Sequence, residues 1–182
     1  MPNIKKSKKK ILAVIQARMG SKRLPKKALK KIAGKTLIEW IKYRLSFCEE
    51  IDRIVLSTAD TKENDSLAKL AESIGLEYYR GSENDLVSRI YETAKKFKAD
   101  AIVRITGDCP LVDHALVDKM VKIYRKKSPG IDYVSNVLPP TFPDGSDIEI
   151  ISFETLKRLD KEVENPLYRE WITTTIMESP KK

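Results

Sequence analysis

Soft metal ligands are scarce in this 182-residue chain, which has one histidine and two cysteines. Cys48 and Cys109 lie far apart with no C-x-x-C spacing, so a Cys/His zinc cage cannot be assembled. A Ser-His-Asp triad is equally disfavoured, because His114 would have to serve it alone. No apolar run approaches the roughly 18 residues of a membrane-spanning helix. The lysine-rich start leads into no apolar stretch with a small-residue cleavage site, so no secretory signal is read and a cytoplasmic protein is expected. Acidic residues are missing from Met1 to Ile38, a stretch with thirteen lysines and arginines, and the first acid is Glu39. With a net charge of +9, this asymmetry points to one anion-facing surface rather than a protein that coats nucleic acid uniformly.

What is present suits one domain with a real core, since 41% of residues are hydrophobic and 34% charged. Residues 1–9 read as a disordered basic tail and 10–182 as a single domain. Ile11 to Ile15 is an apolar run of buried-strand type. A loop, Gln16 to Leu29, follows it. Thr36 with Glu39 forms a capping box for a helix through Phe47. A strand at Ile54 to Thr58, a helix over Lys62 to Ile74 ended by Gly75, and a short strand at Leu76 to Tyr79 come next. Asn84 to Phe97 is helical by pattern, Ala101 to Ile105 is a second buried strand, and a helix runs from Asp113 to Arg125. A strand at Ile131 to Val134, a proline-rich loop over Asn136 to Ser146, a strand at Ile148 to Ile151 and helices at Phe153 to Leu159 and Pro166 to Met177 complete the pattern. Alternating strand and helix is the signature of an α/β fold, a doubly wound and mostly parallel sheet.

In such a sheet ligands sit beyond the carboxyl ends of the strands, so the loops after strands carry the candidate chemistry. The loop Gln16 to Lys27 packs five cations around one glycine and one serine. Gly20 lets the backbone turn and present N–H groups, while Arg18, Lys22, Arg23 and Lys27 can surround phosphate oxygens. The spacing fits neither a Walker loop nor a dinucleotide fingerprint, and a solvated charged loop is the plain alternative. The second loop holds Asp108 between a glycine and a Cys-Pro turn. A carboxylate there can bind Mg²⁺, which takes one or two carboxylates plus phosphates and water. The alternative is an ordinary turn aspartate.

Three segments then carry a resemblance: Ile15 to Pro25, Arg80-Gly81-Ser82 with Asp85 and Arg89, and Arg104 to Leu111. In that order they resemble the cytidylyltransferases of the spore-coat polysaccharide type, which are related to the acylneuraminate and ketodeoxyoctonate cytidylyltransferases. The resemblance implies the Rossmann-like fold of nucleotide-diphospho-sugar transferases, and transfer of CMP from CTP to an acidic, sialic-acid-like sugar with release of pyrophosphate. It implies Arg18, Lys27 and Asp108 as catalytic residues, and Asp108 as the ligand of a Mg²⁺ cofactor. Substrate contacts are implied for Ala17, Arg18, Met19, Gly20, Ser21, Lys22, Arg23 and Lys27, with Ser82 and Arg89 bordering the base. A homodimer is the family expectation, with neither membrane nor nucleic acid as partner.

The chain departs from the family pattern in three places. Lys26 stands where the family usually has the glycine of Leu-Pro-Gly-Lys, and Trp171 replaces the histidine of Arg-Glu-His-Val-Thr. The sequence ends at Lys182 before a Thr-Val-Asp-Thr-Pro-Glu-Asp-like segment, so CTP binding with slow turnover is the expectation. Different-class alternatives are a non-catalytic nucleotide- or nucleic-acid-binding module, or a fragment that binds CTP without turnover. Asp85 also suits a first-turn dipole partner and Arg89 a surface charge. His114 suits a helix start, Cys109 a small buried side chain, and Asp144, Asp147 and Glu149 either a sugar site or a solvated rim. Tyr168 and Trp171, at helical spacing, suit core or dimer contact.

Overall fold

In the computed structural model the described residues are 8–21, 24–128, 130–137 and 139–178. The first strand, β1 (Ile11–Gln16), is buried from Ile11 to Ile15. Alternate side chains of a strand point to opposite faces, so a strand that is apolar throughout needs cover on both. Ile11, Ala13 and Ile15 pack with one set of helices: α1 (Leu37–Leu45), α2 (Asp65–Ser73) and α4 (His114–Lys127). Leu12 and Val14 pack with the other set: α3 (Leu86–Lys96), α5 (Phe153–Glu162) and α7 (Ile172–Glu178). The core is therefore two layers, one on each side of the sheet.

Naming the remaining strands β4 (Arg53–Ala59), β5 (Glu77–Gly81), β6 (Ala101–Thr106), β7 (Tyr133–Ser135) and β8 (Glu149–Ser152), the sheet order is β5-β4-β1-β6-β8-β7. β1 pairs in parallel with β4 on one side and β6 on the other, so Gln16 lies opposite both Ser57 and Thr106. The chain works outward from β1 to β5, then returns to β6 across β1. The reversal opens a crevice at the carboxyl ends of β1 and β6. β8 runs antiparallel to β6, bringing Glu149 opposite Arg104, and antiparallel β7 closes the edge.

Most expected elements form, with shifts at their ends. The capping box of α1 is complete, since the Thr36 hydroxyl accepts from Glu39 N and the Glu39 carboxylate accepts from Thr36 N. Asp85 and Asp113 cap α3 and α4. A small hairpin, β2 (Lys31–Ile32) with β3 (Lys35–Thr36), was not expected. Its turn uses positive φ at Ala33 (48°) and Gly34 (83°), the geometry that suits tight hairpins. The helix expected over Pro166 to Met177 is two helices, α6 (Pro166–Glu170) and α7, broken at Trp171 (φ −114°, ψ 69°). The Thr175 hydroxyl bonds the carbonyls of Tyr168 and Trp171 at the break. Of the basic tail, residues 1–7 lie outside the described residues. Lys8 pairs with Glu50 at 3.6 Å, and the Lys9 carbonyl accepts from Arg125 Nη1 at 2.6 Å.

Candidate active site

The loop after β1 is anchored before it offers anything to a ligand. Ala17 N donates to Ser57 O at 3.1 Å, and Met19 N donates to the buried Asn64 Oδ1 at 2.9 Å. Ala17 and Met19 are 6% and 3% exposed, so their side chains fix the loop while Arg18 and Gly20 stay exposed. Asn64 is a residue that sequence reasoning missed. It sits 45 positions beyond the loop it holds, and no local pattern marks it. Ser21 Oγ accepts from Leu24 N at 3.4 Å. Lys22 and Arg23 lie outside the described residues.

Lys26 adopts φ 56°, ψ 29°, the left-handed region that glycine enters without cost. The turn geometry a glycine would give is thus kept by a lysine. A 3₁₀ turn over Lys27–Leu29 follows, and Lys27 Nζ reaches Asp108 Oδ2 at 2.7 Å. On the β6 side, Gly107 N donates to Gln16 O at 2.8 Å. A Cβ at Gly107 would come within 2.7 Å of Ala17 Cβ, so only glycine lets the two loops lie this close. Burial pushes the Asp108 carboxyl up, but hydrogen bonds from Lys27 and Thr106 and the Lys27 charge outweigh it, leaving the pKa below the ordinary value. Cys109 is buried with its thiol pushed up by burial, a packing residue.

Beside this pair is a cleft of about 230 Å³, lined by Gln16, Arg18, Arg89, Arg104, Trp171, Thr173 and neighbours. Arg18 Nη2 pairs with Glu170 Oε1 at 2.8 Å across its mouth. Arg104 Nε donates to Gln16 Oε1 at 2.6 Å, and its Nη1 to Glu149 and Thr173. Glu149 is 3% exposed, which corrects the solvated-rim reading. It also accepts from Tyr133 Oη and Thr173 Oγ1, each at 2.7 Å. Arg89 is 2% exposed rather than a surface charge. Its Nη1 donates to the carbonyls of Ser82 and Glu83, while its Nε has no hydrogen-bond partner among the described residues. Burial, with the charges of Arg18 and Arg104, lowers its pKa to about 10. Three guanidiniums thus converge on one cleft. Ser82 Oγ accepts from Asp85 N at 3.1 Å and holds the turn into α3. Arg169 is spent on structure, pairing with Asp85 and Asp160 at 2.7 Å each. Trp171 is 65% exposed, neither core nor covered. A larger concavity, about 610 Å³ around Phe47, His114 and Ile123, contains none of the expected site residues.

The donor chemistry at Asp108 fits a hard divalent cation. Its oxygens are partly exposed and already hold one cation, the Lys27 ammonium. Nearby Asp147 has its carboxyl pushed up by burial and by Asp144, Glu149 and Asp108, a field that favours added positive charge. Among the described residues no group of three or more His, Cys, Asp or Glu side chains could hold a metal, so Mg²⁺ here would complete its shell with phosphates and water.

Residues 12–176 match the family model described as cytidylyltransferase. The chain belongs to the cytidylyltransferase family. Members are CTP-dependent nucleotidyltransferases, and the mostly parallel sheet is their Rossmann-like fold. Among relatives, the spore coat polysaccharide biosynthesis protein SpsF of Bacillus subtilis is 29% identical over 175 residues, 93% of this chain and 71% of its own. The uncharacterized protein MJ1063 of Methanocaldococcus jannaschii is 37% identical over 173 residues, 94% of this chain and 68% of its own. A cytidylyltransferase structure from Leptospira borgpetersenii superposes with a TM-score of 0.89 at 36% identity, covering 94% of this chain and 72% of that one. The alternative of a non-catalytic binding module is not favoured. No described helix is long and apolar enough to cross a membrane.

Proposed function

We propose that this chain transfers the cytidylyl group of CTP to a hydroxyl of an acidic sugar, releasing pyrophosphate, in the making of a surface polysaccharide. The observation that carries the reading is that the loop after β1 supplies two cations, each on a carboxylate distant in sequence, Lys27 with Asp108 and Arg18 with Glu170. Both cations come from the loop after β1, and all four side chains are partly exposed. Such exposed pairs are worth about 0–1 kcal/mol each, whereas a triphosphate brings several negative charges to both cations at once. A triphosphate therefore displaces the carboxylates. Lys27 and Arg18 then face the charge that builds on the leaving pyrophosphate, the term that dominates such reactions. A bond forms between the sugar oxygen and the α-phosphorus as the bond from that phosphorus to the bridging oxygen breaks, the electron pair leaving with pyrophosphate and the hydroxyl proton passing to water. Asp108, released from Lys27, is the residue that would hold Mg²⁺, which when bound supplies charge neutralisation along the phosphates.

The acidic acceptor is supported by the guanidiniums of Arg104 and Arg89, which line the cleft, Arg104 paired with the buried Glu149 and Arg89 with no carboxylate in ion-pair contact among the described residues. It is also supported by relatives named 3-deoxy-manno-octulosonate cytidylyltransferase, such as that of Trichlorobacter lovleyi, 32% identical over 114 residues, 62% of this chain and 44% of its own. The polysaccharide setting comes from the name of SpsF. Calorimetric titration with each of the four ribonucleoside triphosphates and Mg²⁺ tests the nucleotide half. CTP is expected to bind at least about tenfold more tightly than the others, a 1.4 kcal/mol preference. Identical isotherms for all four would leave a triphosphate site and remove the cytidylyl reading.

A further inference from the structure

The backbone of Trp171 is anchored in a place where its indole gains little from burial. Its carbonyl accepts from both the amide and the hydroxyl of Thr175, at 2.9 and 3.0 Å, and its amide donates to Tyr168 O at 3.2 Å. Two residues earlier, Arg169 clamps α6 to Asp85 at the start of α3 and to Asp160 on α5. The backbone is thus fixed on both sides, yet the side chain is 65% exposed and makes no ring contact among the described residues. A buried indole contributes more to stability than almost any other side chain. An exposed one on an anchored backbone at the rim of a polar cleft is a contact surface open to a ligand.

The surroundings of Trp171 say what that surface takes. Glu170 offers a carboxylate, Thr173 a hydroxyl, and Arg18 and Arg104 offer guanidiniums, all lining the same cleft. Thr173 ties this part of the cleft to Glu149 on β8, across β1 from the strand that leads to Ser82. A pyranose has one face of C–H groups and an edge of hydroxyls. An aromatic plane matches the first, and a ring of mixed donors and acceptors matches the second.

We infer that Trp171 is a specificity-determining residue, whose indole covers the C–H face of the acceptor ring while the acceptor's carboxylate turns toward Arg104. This rests on the proposed transfer to an acidic sugar. It adds that the acceptor binds as a closed ring, and that it is selected by stacking as well as by charge.

Trp40 and Trp171 are the only tryptophans, so Trp40→Phe makes Trp171 the sole indole reporter. Where that variant folds poorly, the difference between wild type and Trp171→Phe spectra reads the same signal. Titrant probes are N-acetylneuraminate, 3-deoxy-manno-octulosonate, the neutral sugar glucose, and CTP, the sugars being added with Mg²⁺ and CTP present. An acidic sugar is expected to shift and quench the Trp171 emission further than CTP alone, whose effect is limited to freeing the neighbouring Glu170 from Arg18. In steady-state kinetics Trp171→Ala should raise the sugar KM about tenfold, equivalent to 1.4 kcal/mol, with CTP affinity unchanged, and Trp171→Tyr should restore the KM. Emission that moves with CTP and shows no further change when the acidic sugar is added assigns the indole to the nucleotide and overturns the inference. Emission that moves with protein concentration instead of ligand assigns it to self-association and also overturns it. An unchanged sugar KM in Trp171→Ala, with the wild type turning over, removes the inference and leaves the proposed function standing. Absence of any sugar-dependent pyrophosphate release by the wild type removes both.

Discussion

Lys27 and Asp108 are paired with each other now and each has a different further partner proposed, and that double use makes them separable by mutation. Lys27→Ala removes a phosphate donor, so CTP binding is expected to weaken by about 1.5–3 kcal/mol, with or without Mg²⁺. Asp108→Asn keeps the size of the side chain but loses the negative charge. It is expected to leave metal-free CTP binding intact and to abolish the gain that Mg²⁺ brings, which calorimetry with and without the metal reads directly. The pH dependence follows from the lowered Asp108 pKa. A depressed carboxyl adds stability above its unfolded pKa and loses it as pH falls through the folded one. Urea midpoints of wild type and Asp108→Asn should therefore differ at pH 7 and converge below about pH 4. These two residues were legible in the sequence because each stands in a short motif directly after an apolar strand. Arg104 and Glu149 were in view as residues but not as partners, since their pairing depends on the register of β8 against β6, which no local pattern encodes.

Among the elements, those with local stop and start signals formed where the residues indicate. α1 is the clearest case, begun by Thr36 and Glu39 in a reciprocal cap with Lys42 and Arg44 in its last turn. Thr36→Ala is expected to cost about 1 kcal/mol, read as a lowered urea midpoint with an unchanged m-value. The same substitution should leave CTP affinity alone, since α1 contributes no side chain to the described cleft. The break at Trp171 shows the limit of periodicity. Apolar spacing over Pro166 to Met177 fits one helix, but Thr175 bonds the carbonyls of Tyr168 and Trp171 with its hydroxyl and Arg169 is pulled toward α3 and α5. Tertiary partners decide that turn. The hairpin at Ala33-Gly34 was hidden for a different reason, because an alanine at positive φ carries no sequence signature.

For the whole molecule, the alternation of strands and helices foretold the two-layer core and the mostly parallel sheet. The antiparallel β8 was beyond that pattern, yet it builds the buried centre of the cleft. Glu149 holds Arg104, Tyr133 and Thr173 together, and Arg104 in turn holds Gln16 at the end of β1. Removing one member of a buried charge pair leaves the other uncompensated. Glu149→Ala is thus expected to destabilise the fold by about 3–5 kcal/mol, measured by urea unfolding. Glu149→Gln, which keeps an acceptor for Tyr133 and Thr173, should cost less. Loss of stability in Glu149→Ala below about 1 kcal/mol would mean that the network is a surface feature, contrary to its burial.

The most direct test of cytidylyl transfer is pyrophosphate release from CTP and Mg²⁺ across a panel of eight- and nine-carbon acidic sugars, with neutral sugars of similar size alongside. The expected result is release that requires both CTP and an acidic sugar and that is lost in Lys27→Ala. Release that is equal with neutral sugars, or a chain that binds CTP and yields no pyrophosphate with any acid in the panel, would contradict it.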